Sequence, residues 1–347
     1  MKPEILCDNA TKSEVKNNIK FSYSVSADTV LYHKDSEKRL ELLKKANVSV
    51  IWLFGYFFGK FDASFSDMKL AKAKLEKLGF EVNVINLPFG HPGNSLDPTD
   101  GNVELCLPKD WTYRVNEDNE KVYYCGCANE TLVKANKLAV KQLKENGFTK
   151  IFWDDDLRQG ECSEKVQGCF CDDCIDKFNK QYKYNFTRLQ LKEEIKNINS
   201  EITQNWIEFN CEKVTNFMRE MNIEGVQNGI MVMFEGDERQ GISIKNIKKE
   251  LPNCLVRVGE SHFSDEDFKD ENVEYKIKNS IKKHMAEAND IDNVYSETTC
   301  FPLGALSVEN FMKKLKWELE CGIKNIFIMS GTGFLGDEYW LALADMG

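Results

Sequence analysis

Short apolar segments alternate with amphipathic segments along most of the chain. Eight of the apolar segments are predicted to be buried β-strands, because each is a continuous run of strand-forming residues bounded by turn residues. They are Phe21–Ser26, Val48–Phe57, Glu81–Leu87, Lys150–Asp156, Gly229–Phe234, Leu255–Glu260, Asn293–Thr298 and Lys324–Ser330. Apolar residues at helical spacing predict helices between the strands, for example Glu130–Asn146, which ends at Gly147.

This alternation predicts an α/β fold. Eight buried strands, each followed by a helix, are typical of a (β/α)8 TIM barrel. A doubly wound sheet would fit the same order, but it is expected to have a glycine-rich phosphate turn after its first strand, and FSYSVSAD contains no glycine. We therefore expect one barrel domain in residues 1–347, with the barrel at 18–345, a long loop at 88–128 and a cysteine-rich loop at 159–174.

Composition and charge exclude several classes of partner. The chain has 46 Lys and Arg against 56 Asp and Glu, a net charge of −10 at neutral pH, and this balance disfavours nucleic acids and anionic membranes. No run approaches the roughly 18 apolar residues of a membrane-spanning helix. The N-terminus lacks the apolar core of a signal peptide. We expect a cytoplasmic protein with a small-molecule substrate, and homo-oligomerisation stays open.

The cysteines are concentrated in one part of the chain, since seven of the twelve lie within residues 106–174. In a reducing compartment this clustering indicates a metal site rather than disulfides. Cys169, Cys171 and Cys174 place three thiols within six residues, a spacing that suits tetrahedral zinc. The candidates for the fourth ligand are Cys127, which is preferred, Cys125 and Cys162. A four-thiolate site has no open position, so we expect structural zinc that holds loops together.

Acidic residues follow several predicted strands at the end of the barrel where TIM-barrel active sites lie. Together with nearby aromatic residues they favour a carbohydrate site over a phosphate site, which would need basic residues. Glycoside hydrolysis requires two carboxyl groups that face each other across the scissile bond. The candidate catalytic residues are Glu297, Asp154, Asp155 and Asp156, and the candidate substrate-binding residues are Arg158, Glu235, Glu260, Tyr56, Asn129 and His262.

The aspartate triplet at the end of the fourth predicted strand offers a proton donor. Like charges in close proximity raise the pKa of one member, which then holds its proton. Side chains alternate between the two faces of a strand, so Asp154 and Asp156 would lie on one face and Asp155 on the other. The sequence leaves open which face points into the barrel. A solvated loop in which Arg158 pairs with an aspartate is the alternative interpretation.

Three segments resemble the barrel domain of family 42 glycoside hydrolases, the bacterial β-galactosidases of clan A. They are LELLKKANVSVIWLFGYF, YYCGCANETLVKAN and GCFCDDCIDKFNKQYKY. The resemblance extends over most of the chain, from Asp35 to Ser330, and is strongest around the cysteines. It implies zinc ligands at Cys127, Cys169, Cys171 and Cys174, and it pairs Cys127 with Asn129.

The same resemblance implies a retaining mechanism in which Glu297, within VYSETTCFP, is the nucleophile. The family ends its fourth strand in Asn-Glu, whereas this chain has WDDD from Trp153 to Asp156, so the acid/base role passes to an aspartate. The family's tryptophan after the eighth strand is replaced by Met-Ser-Gly at 329–331. Family members also continue into further domains, so the chain is expected to be a divergent relative or the barrel domain of a longer protein.

The sequence therefore predicts a glycosidase, β-galactosidase-like and retaining, that cleaves a small oligosaccharide or glycoside. Two alternatives remain. A barrel that binds sugars without hydrolysing them is suggested by the missing Asn-Glu. A carbohydrate-active enzyme dependent on a divalent metal is suggested by the aspartates at 154–156 with Glu260, whose oxygens could hold a cation. The sequence does not identify the sugar or its anomer.

Overall fold

Eight parallel strands close into a barrel in the computed structural model, which describes residues 19–57, 59–90, 96–99, 105–154, 157–160, 165–233 and 238–346. The strands are β1 Lys20–Val25, β2 Val48–Phe54, β3 Glu81–Asn86, β4 Lys150–Trp153, β5 Gln227–Met231, β6 Leu255–Arg257, β7 Val294–Tyr295 and β8 Asn325–Met329. Each strand pairs with the next in chain order, and β1 also pairs with β8, which closes the sheet. The predicted TIM barrel is confirmed.

Helices connect the strands and cover the outside of the barrel. They are α1 Ala27–Tyr32, α2 Ser36–Lys45, α3 Phe65–Lys77, α4 Glu130–Glu145, α5 Asp172–Tyr182, α6 Arg188–Glu194, α7 Glu201–Glu220, α8 Ile244–Glu250, α9 Val273–Ala288, α10 Val308–Glu320 and α11 Asp337–Ala344. Short side chains begin many of them; the hydroxyl of Ser307, for example, caps α10 by accepting from the Asn310 N–H. Within the described ranges, no helix has both the length and the apolar character needed to cross a membrane.

Aromatic side chains from alternate strand positions fill the interior of the barrel. The Trp52 ring lies 4.6 Å from that of Phe152 and 5.6 Å from that of Phe327, measured between centroids. The Tyr295 ring lies 5.2 Å from that of Phe152. The intervening residues face the helices. Because side chains alternate along a strand, continued alternation beyond Phe152 would turn Asp154, which directly follows β4, inward as well.

The strand bounds lie within a few residues of the predicted ones, and three differences from the prediction change the chain around the strands. β2 ends at Phe54, and the chain after Gly55 forms a small antiparallel pair, Tyr56–Phe57 with Lys60–Phe61. The long loop contains an antiparallel hairpin of Tyr113–Val115 and Lys121–Gly126, which was not predicted. β7 is interrupted after Tyr295 and resumes as Thr298–Thr299, so Glu297 lies in the break rather than within a strand.

The absence of a side chain at Gly229 on β5 makes room for the interior aromatic cluster. A Cβ at this position would lie 2.5 Å from Phe152 Cε1 and 2.9 Å from Leu255 Cβ. We expect Gly229→Ala to lower the free energy of unfolding by about 1–3 kcal/mol, because the added methyl group overpacks the interior. Urea denaturation measures this change.

Gly333→Ala is the matched control, since its Cβ would meet only Leu303 Cδ1, at 3.4 Å, which is an ordinary contact. It should change the free energy of unfolding by less than about 0.5 kcal/mol. Equal losses in the two variants would contradict the packing described for the barrel interior.

Candidate functional site

The carboxylate of Glu297 is held by one ion pair and two backbone hydrogen bonds in the break of β7. Its Oε1 lies 2.9 Å from Nη2 of Arg257. Its Oε2 accepts hydrogen bonds from the backbone N–H groups of Glu260 at 2.5 Å and Ser261 at 2.7 Å. Nη1 of Arg257 also contacts Met329 Sδ at 3.2 Å, which places the ion pair inside the barrel. The Glu297 side chain is only 2% exposed, so these contacts replace the water that would otherwise surround its carboxyl group.

The loop after β6 supplies the two backbone donors. Ser261 and His262 have φ angles of 55° and 62°, in the left-handed region that costs non-glycine residues of order 1–3 kcal/mol each. Lys314 on α10 donates to the Ser261 carbonyl at 2.6 Å. The His262 Nδ1 lies 2.8 Å from the Glu260 carbonyl oxygen. Surrounding contacts thus hold a strained loop in the conformation that binds Glu297.

Glu260 lies behind β7 rather than at the mouth of the barrel. Its side chain is fully buried, and its Oε1 accepts from the Glu297 N–H at 2.9 Å. Since Glu297 in turn accepts from the Glu260 N–H, each carboxylate binds the backbone of the other residue. Its carboxyl group faces the Glu297 backbone and Lys314 of α10, so we reassign Glu260 from substrate binding to the support of Glu297.

Asp154 is the one residue of the aspartate triplet in the described part of the chain. It is 7% exposed and directly follows β4. Its N–H donates to the Asn86 carbonyl at 2.9 Å, which continues the pairing with β3. This pairing extends the strand by one residue, so we expect the Asp154 side chain to point into the barrel. Asp155, Asp156 and Glu235 lie outside the described residues.

Arg158 and Asn129, two of the predicted substrate-binding residues, make contacts within their own loops. Arg158 is buried, and its Nε donates to the Gly160 carbonyl at 2.7 Å. Asn129 Oδ1 accepts from the Leu132 N–H at 3.1 Å and so caps α4. These contacts give both residues a structural role in shaping the loops.

Tyr56 and His262 are partly exposed. The Tyr56 ring packs edge-on against Phe61, with ring centroids 5.3 Å apart, and burial raises the pKa of its hydroxyl. His262 belongs to the loop that binds Glu297. Both side chains therefore remain candidates for contact with a substrate.

Four cysteine sulfurs from two separate loops converge next to this end of the barrel. The Sγ atoms of Cys127, Cys169, Cys171 and Cys174 lie within 4.8 Å of one another. Cys125 instead donates to the Arg158 carbonyl at 3.4 Å, and Cys162 lies outside the described residues. Cys127 therefore completes the group, which could hold one metal ion.

Lys213 on α7 adds a positive charge to the cysteine group. Its Nζ lies 3.0 Å from Cys174 Sγ and 3.7 Å from Cys127 Sγ. Hydrogen bonds with the neighbouring thiols, Cys127 first, and the charge of Lys213 lower the pKa of Cys174. Sequence reasoning missed Lys213, because it lies on a different element from every cysteine of the group.

Arg114 of the hairpin fixes the cysteine-rich loop in place. Its Nε donates to the Gly168 carbonyl at 2.9 Å, and Nη2 donates to Gln167 Oε1 at 3.0 Å. Nη1 donates to the Tyr124 hydroxyl at 2.6 Å within the hairpin itself. The cysteine group and Arg114 thus join the loop after β3 to the loop after β4.

Comparison with solved structures yields neighbours with the same fold. The catalytic domain of a β-amylase from Paenibacillus polymyxa has a TM-score of 0.62 at 12% identity, over 93% of this chain and 97% of that one. The glycoside hydrolase domain of PgaB (BpsB) from Bordetella bronchiseptica has a TM-score of 0.61 at 10% identity, over 94% of this chain and 97% of that one. Gan42B, a GH42 β-galactosidase, has a TM-score of 0.58 at 13% identity, over 95% of this chain but 57% of that one.

At these identities the likeness establishes the TIM-barrel fold alone. It is shared by three differently named glycosidases, so it does not single out family 42. No protein-family model and no curated protein sequence matches the chain.

Proposed function

We propose that this chain is a glycoside hydrolase acting on a small oligosaccharide or glycoside. The observation that carries the proposal is the carboxylate of Glu297, which Arg257 and two backbone N–H groups orient inside the barrel at the break of β7. Asp154 follows the inward position of β4, so a second carboxyl group is available at the same end of the barrel. A carboxyl pair across one bond is what glycoside hydrolysis requires.

The two carboxyl groups have different roles in this proposal. Glu297 attacks the anomeric carbon, because Arg257 and two backbone N–H groups fix the direction of its carboxylate. An aspartate after β4 protonates the leaving oxygen and then activates water. Asp154 is our first choice, with Asp155 and Asp156 as alternatives. A separation of about 5 Å between the two carboxyl groups supports retention of configuration, whereas one above about 6.5 Å supports inversion.

The names of the structural neighbours support this class of activity without selecting a sugar. They are a β-amylase, a glycoside hydrolase domain and a β-galactosidase. β-Galactosidase activity is therefore one hypothesis among several.

The geometry weakens the alternative in which a divalent cation is held by the strand-end carboxylates. That site needed Glu260, whose side chain is fully buried and contacts Glu297. In the part of the chain that the structure describes, the potential metal-binding group consists of cysteines. Thiolates are poor ligands for Mg²⁺, which prefers oxygen.

We propose that the cysteine group binds structural zinc. Bonds of about 2.3 Å from zinc to sulfur place tetrahedral sulfurs roughly 3.8 Å apart, and the Sγ atoms of Cys127 and Cys174 are 3.5 Å apart. Four thiolates around Zn²⁺ leave a net negative charge, which the neighbouring Lys213 partly offsets. The cytoplasmic location that we infer from the sequence would keep these thiols reduced.

Metal analysis tests the zinc proposal. We expect about one zinc per wild-type chain and a large loss of zinc in Cys171→Ser, together with a lower Tm, because the free energy of zinc binding stabilises the fold. Inductively coupled plasma mass spectrometry and thermal denaturation measure the two effects. Cys106→Ser is the control, since Cys106 is an exposed thiol outside the group. Full zinc content in Cys171→Ser would contradict the ligand assignment.

Turnover of a panel of aryl α- and β-glycosides tests the proposed activity. We expect the wild type to cleave at least one of them, and Glu297→Gln to lower kcat by roughly 10³-fold or more, because an amide is a poor nucleophile. Glu309→Gln removes an exposed carboxylate of α10 and should leave kcat unchanged. Wild-type turnover that survives Glu297→Gln would contradict the assignment of the nucleophile.

If the wild type cleaves no glycoside but a sugar raises its Tm, the barrel that binds without hydrolysis becomes the better account. The wild type and both variants should first be shown to hold the same metal content and to have similar Tm values. This comparison keeps a folding defect from being mistaken for a catalytic one.

A further inference from the structure

A second group of charged side chains lies behind Glu297 and takes no direct part in the proposed chemistry. Glu260 at the end of β6, and Lys314 and Glu318 on α10, are all fully buried. Lys314 and Glu318 are four residues apart and so lie on one face of the helix. Burying three ionisable side chains is costly unless they compensate one another.

Counting charges shows that this region is one proton short of neutrality. The carboxyl groups of Glu260, Glu297 and Glu318 share the site with two cations, Arg257 and Lys314. If all three carboxyls were ionised, the buried net charge would be 2 − 3 = −1. One bound proton makes the sum zero.

Neighbouring titratable groups leave this sum unchanged. His284 on α9 accepts a hydrogen bond from the Gly259 N–H at its Nδ1, at 3.1 Å, so that nitrogen carries no proton. Cys321, just after α10, has a thiol whose pKa is raised by burial, and it is therefore neutral. The nearby His262 is partly exposed on the loop after β6.

The hydrogen bonds indicate where the proton lies. Oε1 of Glu260 and Oε2 of Glu318 already accept bonds, from the Glu297 N–H at 2.9 Å and the Thr298 hydroxyl at 2.7 Å. The remaining oxygens, Glu260 Oε2 and Glu318 Oε1, have no hydrogen-bond partner among the described residues. Because the two carboxyl groups bond adjacent residues, Glu297 and Thr298, we infer that their unpaired oxygens lie close to each other. A proton between these two oxygens satisfies both.

The directions in which the surroundings shift the pKa values of the two carboxyl groups agree with this placement. Burial, followed by the adjacent Glu318 carboxyl, raises the pKa of Glu260 well above its usual value. Burial raises the pKa of Glu318 as well, although Lys314 opposes the shift. Lys314 does not replace the proton, because its Nζ is 3.9 Å from Glu260 Oε2, too far for a hydrogen bond.

We propose that Glu260 and Glu318 share one proton and, together with Lys314, form a brace that positions Glu297. The brace acts through the backbone. Glu260 holds the Glu297 N–H, while Lys314 holds the Ser261 carbonyl and with it the strained loop that binds Glu297 Oε2. These three are positioning residues, and their importance for catalysis rests on the proposed hydrolase function. The shared proton can be tested without any substrate.

The proton test compares the pH dependence of unfolding in the wild type and in Glu318→Gln. The pKa of the carboxyl pair is raised in the folded state. The shared proton therefore stabilises the fold fully below the ordinary glutamate pKa, about 4.3. This contribution is lost as the pH rises towards the folded-state value. The amide introduced by Glu318→Gln donates to Glu260 at every pH, so the variant has no such dependence.

Above pH 5, the unfolding constant of the wild type should rise by up to about tenfold per pH unit relative to Glu318→Gln. Urea denaturation at several pH values measures this ratio. Glu320→Gln, which changes an exposed carboxylate on the same helix, should follow the wild type. A ratio that does not change with pH overturns the shared proton.

Infrared spectroscopy of the wild type covers the case in which Glu318→Gln does not fold. At neutral pH we expect a carboxylic-acid C=O band that moves when the glutamates carry ¹³C and when the solvent is D₂O. The absence of a glutamic-acid band in the folded protein would equally overturn the proposal.

Kinetics test the positioning role on a glycoside that the wild type cleaves. Lys314→Met should lower kcat at least tenfold with little change in KM, because it releases the loop without touching the sugar. Glu318→Ala should do the same, whereas Glu318→Gln should restore kcat. Unchanged kcat in both Lys314→Met and Glu318→Ala would overturn the positioning role. If no glycoside is cleaved by the wild type, the hydrolase proposal fails while the proton measurements still decide the brace.

Discussion

The burial of one carboxylate, that of Glu297, sets the requirements for much of the surrounding structure. A charge that is 2% exposed must be compensated by nearby donors. Arg257 supplies the opposite charge from inside the barrel, and the loop after β6 supplies two N–H groups. That loop is strained, so it needs Lys314 to hold it, and burying Lys314 in turn requires carboxyl groups beside it. Natural proteins accept such costs chiefly where direction and charge matter for function.

The loops that frame the barrel mouth depend on a different interaction. The sulfurs of four cysteines bring the loop after β3 against the loop after β4, and Arg114 reinforces the junction with two hydrogen bonds. The cysteines also belong to an apolar cluster that includes Phe170, Phe178 and Trp206, and a metal with thiolate ligands would add its binding free energy to this packing. In our proposal the metal would hold the two loops together and take no part in the reaction.

The sequence predicted the features that depend on local pattern. Continuous apolar runs revealed the barrel strands, and Glu297 was selected as a candidate because it lies near the end of one predicted strand. Contacts between distant elements left no local signal, which is why Arg257 and Lys314 were missed. Glu260 was assigned to the mouth because it ends a predicted strand, although alternation from Leu255 and Arg257, which face the interior, places it on the outer face of the barrel. The hairpin was missed because a long polar segment resembles a loop until its partner is known.

Trapping of a covalent intermediate tests the central claim most directly. The protein would be incubated with an activated 2-deoxy-2-fluoro derivative of a glycoside that it cleaves, and then analysed by intact-mass and peptide mass spectrometry. The account predicts one fluoroglycosyl adduct per chain, on the peptide that contains Glu297, and none in Glu297→Gln. An adduct on another residue, or turnover of the parent glycoside with no adduct at all, would contradict a retaining hydrolase with Glu297 as its nucleophile.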